Sequence, residues 1–283
     1  MPRLAPSGTC ANARRCVPCA AEDFIMRFAG LFLLLIIVAL PLTADDAADF
    51  LKAVSGRDLA TVKSMLARDA SLANARSPKG TDAVTMALFT NVGEGFTDPA
   101  KNEILQALIP HAKLDLFETA ALGTTSQLES MMTDPAALTS RNAFGWTLLH
   151  MAAFGGNAAN TELLIRKGAA IESRAASKFR NTPLQTALLS GQYATAKILI
   201  DHGADVLIRQ SKGFTPMHEA AILGRNDLVQ LLLDHGAEIN SVADNGETPL
   251  AEAMRGKHEE LAAWMKTKGA VLGVQPDDEV LKK

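Results

Sequence analysis

The chain has 283 residues, with 28 basic against 31 acidic side chains and a formal net charge of −3 at pH 7. That mild acidity argues against a nucleic-acid-binding surface. Its cysteines, Cys10, Cys16 and Cys19, all lie near the N-terminus, so the remainder offers no thiol for catalysis and requires no disulfide framework.

Residues 1–44 form a leader of their own. Phe28 to Ala44 contains no charge, Leu31 to Leu40 is continuously apolar, Arg27 precedes the run and Asp45-Asp46 follows it. A basic residue, an apolar stretch and the ending Leu42-Thr43-Ala44 predict a secretory signal peptide cleaved after Ala44. The 17 charge-free residues fall short of the roughly 20 that a spanning helix needs. A retained inner-membrane anchor is the alternative, and only then is a membrane a partner. Met26-Arg27-Phe28 offers an ordinary start for such a signal. Cys16-Val17-Pro18-Cys19 has metal or redox spacing, but no second pair or nearby histidine completes a site. Removing residues 1–44 leaves 24 basic and 29 acidic residues, a formal charge of −5.

Beyond the leader the chain repeats itself. Phe50-Leu51-Lys52-Ala53, Gly56 and Val62 to Leu66 make a degenerate first unit starting near Ala47. Gly80, Asp82, Val84, Met86 and Ala87 open a second, which carries an insertion from Asn91 to Asn102 between its helices. A third, counted from Leu114, holds Ala120-Ala121, Gly123 and Leu128 to Met132. Four clear copies follow: Gly145-Trp146-Thr147-Leu148-Leu149-His150, Arg180-Asn181-Thr182-Pro183-Leu184-Gln185, Gly213-Phe214-Thr215-Pro216-Met217-His218 and Gly246-Glu247-Thr248-Pro249-Leu250-Ala251. Their threonines stand 35, 33 and 33 residues apart. The surplus of two lies in Ala175 to Arg180, which predicts a longer loop there.

Each part of the phrase has a physical task. Thr215 caps a helix whose first turn accepts Pro216, because proline lacks only an N–H that would be unpaired there. Ala220 and Ala221 let neighbouring helices approach closely. Leu231 to Leu233 give a second helix its apolar stripe, and Gly236 takes the left-handed turn that ends it. A 33-residue period with Thr-Pro-Leu-His resembles the ankyrin repeat. The resemblance spans residues 46–270 and implies an all-α ankyrin-repeat solenoid of about seven repeats, helix-turn-helix units bearing hairpin fingers. The array occupies residues 45–270 and a polar tail residues 271–283.

The resemblance also implies a non-catalytic protein–protein interaction module with no cofactor, acting as a monomer. Joined to the signal peptide, it places the module in the periplasm of a double-membrane bacterium. His150 and His218 fill the motif position, where imidazole bonds within and between fingers. His202 and His235 precede helix-ending glycines, one repeat apart; a haem, metal or small-molecule accessory would use this edge, and an enzyme would use the Asn91 to Asn102 loop. Partners of ankyrin repeats usually meet the finger tips and first helices. Aligned, the fingers gather Phe144, Trp146, Phe179 and Phe214 among Arg174, Lys178, Arg180, Arg209 and Lys212, and aromatic plus arginine is the composition of interface hot spots. The rings either face a partner or pack finger against finger.

Overall fold

A computed structural model describes residues 44–89 and 102–273. The leader up to residue 43 with its three cysteines, most of the insertion, and the tail from residue 274 lie outside the described residues. From Ala47 onward the described residues form one compact unit.

Fourteen α-helices, and no strand, occur among the described residues, arranged as seven antiparallel pairs. The pairs are α1 (Ala44–Ser55) with α2 (Leu59–Arg68), α3 (Ala83–Phe89) with α4 (Glu103–Leu108), α5 (Leu116–Leu122) with α6 (Thr125–Met131), and α7 (Leu148–Gly155) with α8 (Ala158–Arg166). They continue with α9 (Pro183–Leu189) and α10 (Tyr193–Asp201), α11 (Pro216–Ile222) and α12 (Asn226–Asp234), and α13 (Pro249–Arg255) and α14 (Glu259–Thr267). The all-α repeat array expected from the period is thus the fold observed. First helices α5, α7, α9, α11 and α13 pack in one row, and second helices α6, α8, α10 and α12 in another.

Helices this short are unstable alone, so each depends on its caps and its neighbours. Thr182 accepts a bond from the Gln185 amide while the Gln185 side chain accepts from the Thr182 amide, at 3.1 Å, a reciprocal capping box. Thr147 with His150 and Thr215 with His218 do the same. In the third unit the cap is Asp115, with Glu118 as its reciprocal partner. The register counted from Leu114 is therefore one residue early, because an acidic Asp-x-x-Glu box replaces the threonine phrase.

Alanines make the close packing possible: Ala120, Ala152, Ala153, Ala187, Ala220, Ala221 and Ala253 are all fully or almost fully buried. Leu128, Leu164, Leu199, Leu228 and Leu232 fill the space between helix rows. The residue before a second helix reaches back to the preceding repeat. Asn157 Nδ2 donates to the Gly123 carbonyl at 2.9 Å, Arg225 Nη1 to Gly191 at 3.1 Å, and His258 Nε2 to Ile222 at 2.8 Å. Each thereby satisfies a carbonyl at the end of a first helix that would otherwise lack a partner.

The fingers are hairpins closed by one backbone bond. Asn142 N to Trp146 O, Gln210 N to Phe214 O and Ala243 N to Glu247 O each span four residues, whereas Ala175 N to Asn181 O spans six. The loop predicted to be longer is longer by two residues. Adjacent fingers join through Ala176 N to Gly145 O, Ser211 N to Phe179 O and Asp244 N to Lys212 O. One finger is missing: residues 109–115 alone join α4 to α5, whereas each of the other links between pairs has 14 to 16 residues.

At the left-handed position of the finger, Gly145, Gly213 and Gly246 are matched by Arg180 with φ +57°. A side chain there carries backbone strain of about 1–3 kcal/mol, partly offset by the entropy a glycine loses on folding. Arg180→Gly is expected to raise stability by roughly 0.5–1 kcal/mol. Gly236, φ +87°, has no heavy atom within 4 Å of an added Cβ; Gly236→Val is expected to lose about 1–3 kcal/mol from backbone strain alone. Thermal and denaturant unfolding of both variants check the two signs.

Candidate functional site

The chemistry of the first-helix row begins with the motif position. His150 Nδ1 lies 2.8 Å from Thr147 Oγ1 and its Nε2 lies 3.0 Å from the Asn181 carbonyl. A carbonyl only accepts, so Nε2 carries the proton and Nδ1 is free to accept. His218 repeats the arrangement with Thr215 at 2.9 Å and the Glu247 carbonyl at 3.2 Å. Burial lowers the pKa of both rings, that of His150 to about 4, keeping them neutral. Both histidines are consumed in tying one repeat to the next finger. Gln185, in the same position, sends Nε2 to the Phe214 carbonyl at 3.5 Å.

On the stack edge His202 Nδ1 donates to the Ile198 carbonyl at 2.9 Å, and His235 Nδ1 to Leu231 at 2.8 Å. Their Nε2 atoms face Glu162 at 3.5 Å and Asp201 at 3.8 Å, respectively. One ring nitrogen of each is thus engaged by its own helix and the other is turned toward the previous repeat. Among the described residues no group of three or more histidine, cysteine, aspartate or glutamate side chains is gathered as metal ligands.

The candidate finger residues divide by what they touch. Phe144 and Phe179 are exposed, at 46% and 42%. Trp146 is half-buried and its ring centroid lies 5.3 Å from Phe154 and 5.6 Å from Phe89. Phe89 also meets Phe144 at 4.6 Å and Phe154 at 5.0 Å. These separations are those of attractive aromatic pairs, worth about 0.5–1.5 kcal/mol each beyond area burial. Phe214 is half-buried with its ring 5.0 Å from His218. The two alternatives for the rings therefore both occur: Trp146 and Phe214 pack inward, while Phe144 and Phe179 leave much of their surface to solvent.

The basic residues divide similarly. Arg141 Nη1 donates to Gly145 O and Arg174 O, both at 2.8 Å, Arg174 Nη1 to Arg209 O at 3.0 Å, and Arg209 Nη1 to Val242 O at 2.9 Å. Arginines at one offset of successive fingers thus form a ladder of backbone clamps, and Arg209 also pairs with Asp244 at 3.0 Å. Arg174 and Arg209 are structural links that retain their charge. Lys178, Arg180 and Lys212 are exposed, and the Lys178 ammonium sits 4.9 Å above the Phe179 ring.

Between the fingers and the first helices lies an almost wholly apolar cleft of about 530 Å³. Phe144, Trp146 and Phe179 line it from the fingers, and Phe89, Thr186, Leu189 and Glu219 from the first helices. Phe89, Phe154 and Glu219 were not singled out by the fingers' alignment. Phe89 is the last residue of α3, two repeats before the unit of Phe144 and Trp146 and three before that of Phe179, so only the missing finger lets it join the cleft. Glu219 is 1% exposed and its Oε1 accepts from Gln210 Nε2. Burial, aided by the nearby Glu252, raises its pKa to about 8. A smaller cleft of about 220 Å³ opens where the finger is absent, with Asp82, Thr85 and Glu118 among its walls. There Thr85 Oγ1 donates to Glu118 Oε1 at 3.0 Å, and burial together with Asp82 raises Glu118 to about 8.

The signs of these shifts set a pH profile. A glutamate with a raised folded pKa binds its proton more tightly in the folded state, so stability declines as pH rises from about 4.5 to about 8. The buried histidines act oppositely: their stability is present above 6.5 and lost as pH falls toward about 4. Between pH 6.5 and 8 only the glutamates contribute. Stability is expected to fall across that interval, and Glu219→Gln, which mimics the protonated carboxyl, is expected to make the fall shallower. Denaturant midpoints measured at pH 6.5, 7.2 and 8 test this; an equal slope in wild type and variant counts against it.

A family model described as ankyrin repeats (3 copies) matches residues 100–210 and again 207–275, more than half of the chain. A comparison with curated proteins returned no match. Ankyrin repeats are generally protein–protein interaction modules. By this match, and by seven helix pairs of which the last four open on variants of the Thr-Pro-Leu-His phrase, the chain belongs to the ankyrin-repeat family.

Proposed function

We propose that this chain is an exported, non-catalytic recognition protein that holds another protein in the periplasm through the cleft beneath fingers 142–146, 175–181 and 210–214. The observation that carries the reading is the pairing of exposed Phe144 and Phe179 with an apolar cleft of about 530 Å³. Exposed large rings beside a concave apolar surface are an unfavourable way to meet water and a favourable way to meet a partner. The described histidines also support a non-catalytic role: those at motif positions are buried, neutral and bonded to backbone carbonyls. The export half of the proposal rests on the leader, with Arg27 before the apolar run and Ala44 at its end. Among the described residues no helix is long and apolar enough to cross a membrane.

Two measurements check the two halves. Crosslinked capture from fractionated native cells is expected to retain a specific protein with the wild type and lose it with Phe144→Ala/Phe179→Ala; the melting temperature falls modestly, because Phe144 gives up its contact with Phe89, and the variant stays folded at the temperature of capture. Capture unaffected by the double substitution would remove the cleft from the function. N-terminal sequencing of the cellular protein is expected to begin at Asp45; a start at Met1 or Met26 in a membrane fraction would instead favour the anchored form.

A further inference from the structure

The fingers around the cleft are charged in one sense only. Residues 141–147, 174–182 and 209–215 carry Arg141, Arg174, Lys178, Arg180, Arg209 and Lys212, and no aspartate or glutamate. Acidic residues outnumber basic ones in the chain as a whole, so this segregation runs against composition. The acidic finger residues Asp244 and Glu247 begin only on the following finger. Of the six cations, Arg209 has a carboxylate partner in Asp244, and the hydrogen bonds of Arg174 to backbone carbonyl leave its charge uncompensated. Lys178, Arg180 and Lys212 are exposed and have no carboxylate partner among the described residues.

Resting on the cleft reading, we infer that its partner is an acidic peptide segment: a bulky apolar side chain enters between Phe144 and Phe179, and flanking aspartates or glutamates meet Lys178, Arg180 and Lys212. The apolar walls supply the affinity for the anchor, and the basic rim selects the flanks and speeds encounter. A basic segment would meet like charge at three adjacent fingers and is selected against. The carboxyl at the floor does not oppose the acidic segment: burial raises Glu219 to about 8, and the protonated group adds no negative charge at neutral pH.

The test is selection of a phage-displayed random peptide library on the full chain, followed by titration of the enriched peptides. A Trp264→Phe background leaves Trp146, in the cleft wall, as the reporting tryptophan. The expected result is enrichment of a large apolar residue flanked by Asp or Glu, with a change in Trp146 emission on binding. Affinity should weaken about tenfold or more in Lys178→Glu/Lys212→Glu and with rising salt, as an exposed charge contribution does. Phe144→Ala/Phe179→Ala should abolish it. Both charge-reversed residues are exposed, and circular dichroism melts verify that the variant stays folded. Enriched peptides with neutral or basic flanks, or an affinity indifferent to charge reversal, would overturn the acidic inference and leave the cleft reading standing. No peptide whose binding depends on Phe144 and Phe179 would overturn both. Decanoate matching the best peptide in affinity and in sensitivity to both variants would make the cleft a small-molecule site and overturn the peptide assignment.

Discussion

The bond from the third residue of a first helix to the backbone of the next finger is the interaction on which the rest of the stack depends. His150 reaches the Asn181 carbonyl, Gln185 the Phe214 carbonyl and His218 the Glu247 carbonyl. The same side chains accept from their own cap residues, so each joins three things: a helix start, its finger and the neighbouring repeat. In a buried setting such a group must be fully satisfied or it destabilises the fold. Neutral imidazole meets that condition, one nitrogen donating and the other accepting. This fixes the spacing of successive fingers and hence where their side chains meet.

The candidate site arises from departures within that order. Had a full finger preceded α5, the ring of Phe144 could not have reached Phe89 across the gap at 4.6 Å. The finger closed by Ala175 and Asn181 is two residues longer than its neighbours and holds the exposed Lys178 and Phe179. A shortened link and a lengthened finger thus enclose the cleft between them. Regular repeats with alanine on their facing helices bury themselves completely; irregular ones leave surface over, and here that surface is aromatic.

What could be read from sequence followed the period. Threonine, proline, alanine and glycine recur because capping, close helix approach and left-handed turns are local requirements. Their spacing therefore revealed the seven units, the longer finger and the insertion that separates α3 from α4. Side chains that act across repeats were less legible. Phe89 belongs to a different unit from the rings it touches, and nothing in its own neighbourhood marks it. Arg174 and Arg209 read as a partner surface because a sequence shows their charge but not the carbonyls their guanidinium groups bond. Glu118 could have been found: Asp115-Leu116-Phe117-Glu118 is a capping box, hidden only by counting from a threonine that is absent.

The same separation of roles explains how charge is distributed. Carboxyl groups on the first-helix row, Glu118, Glu219 and Glu252, are almost completely buried and are held toward their neutral forms by desolvation. The guanidinium groups of the finger ladder sit at the surface, where water and backbone carbonyls stabilise them without removing their charge. Buried acids, Glu118 and Glu219 raised to about 8 and Glu252 paired with Arg255, lie beneath a row of charged bases, which makes the fingers more positive than the composition of the chain suggests. The surface charge of this array is accordingly set by burial depth as much as by residue type, because the same acids moved to the surface would offset much of the basic rim.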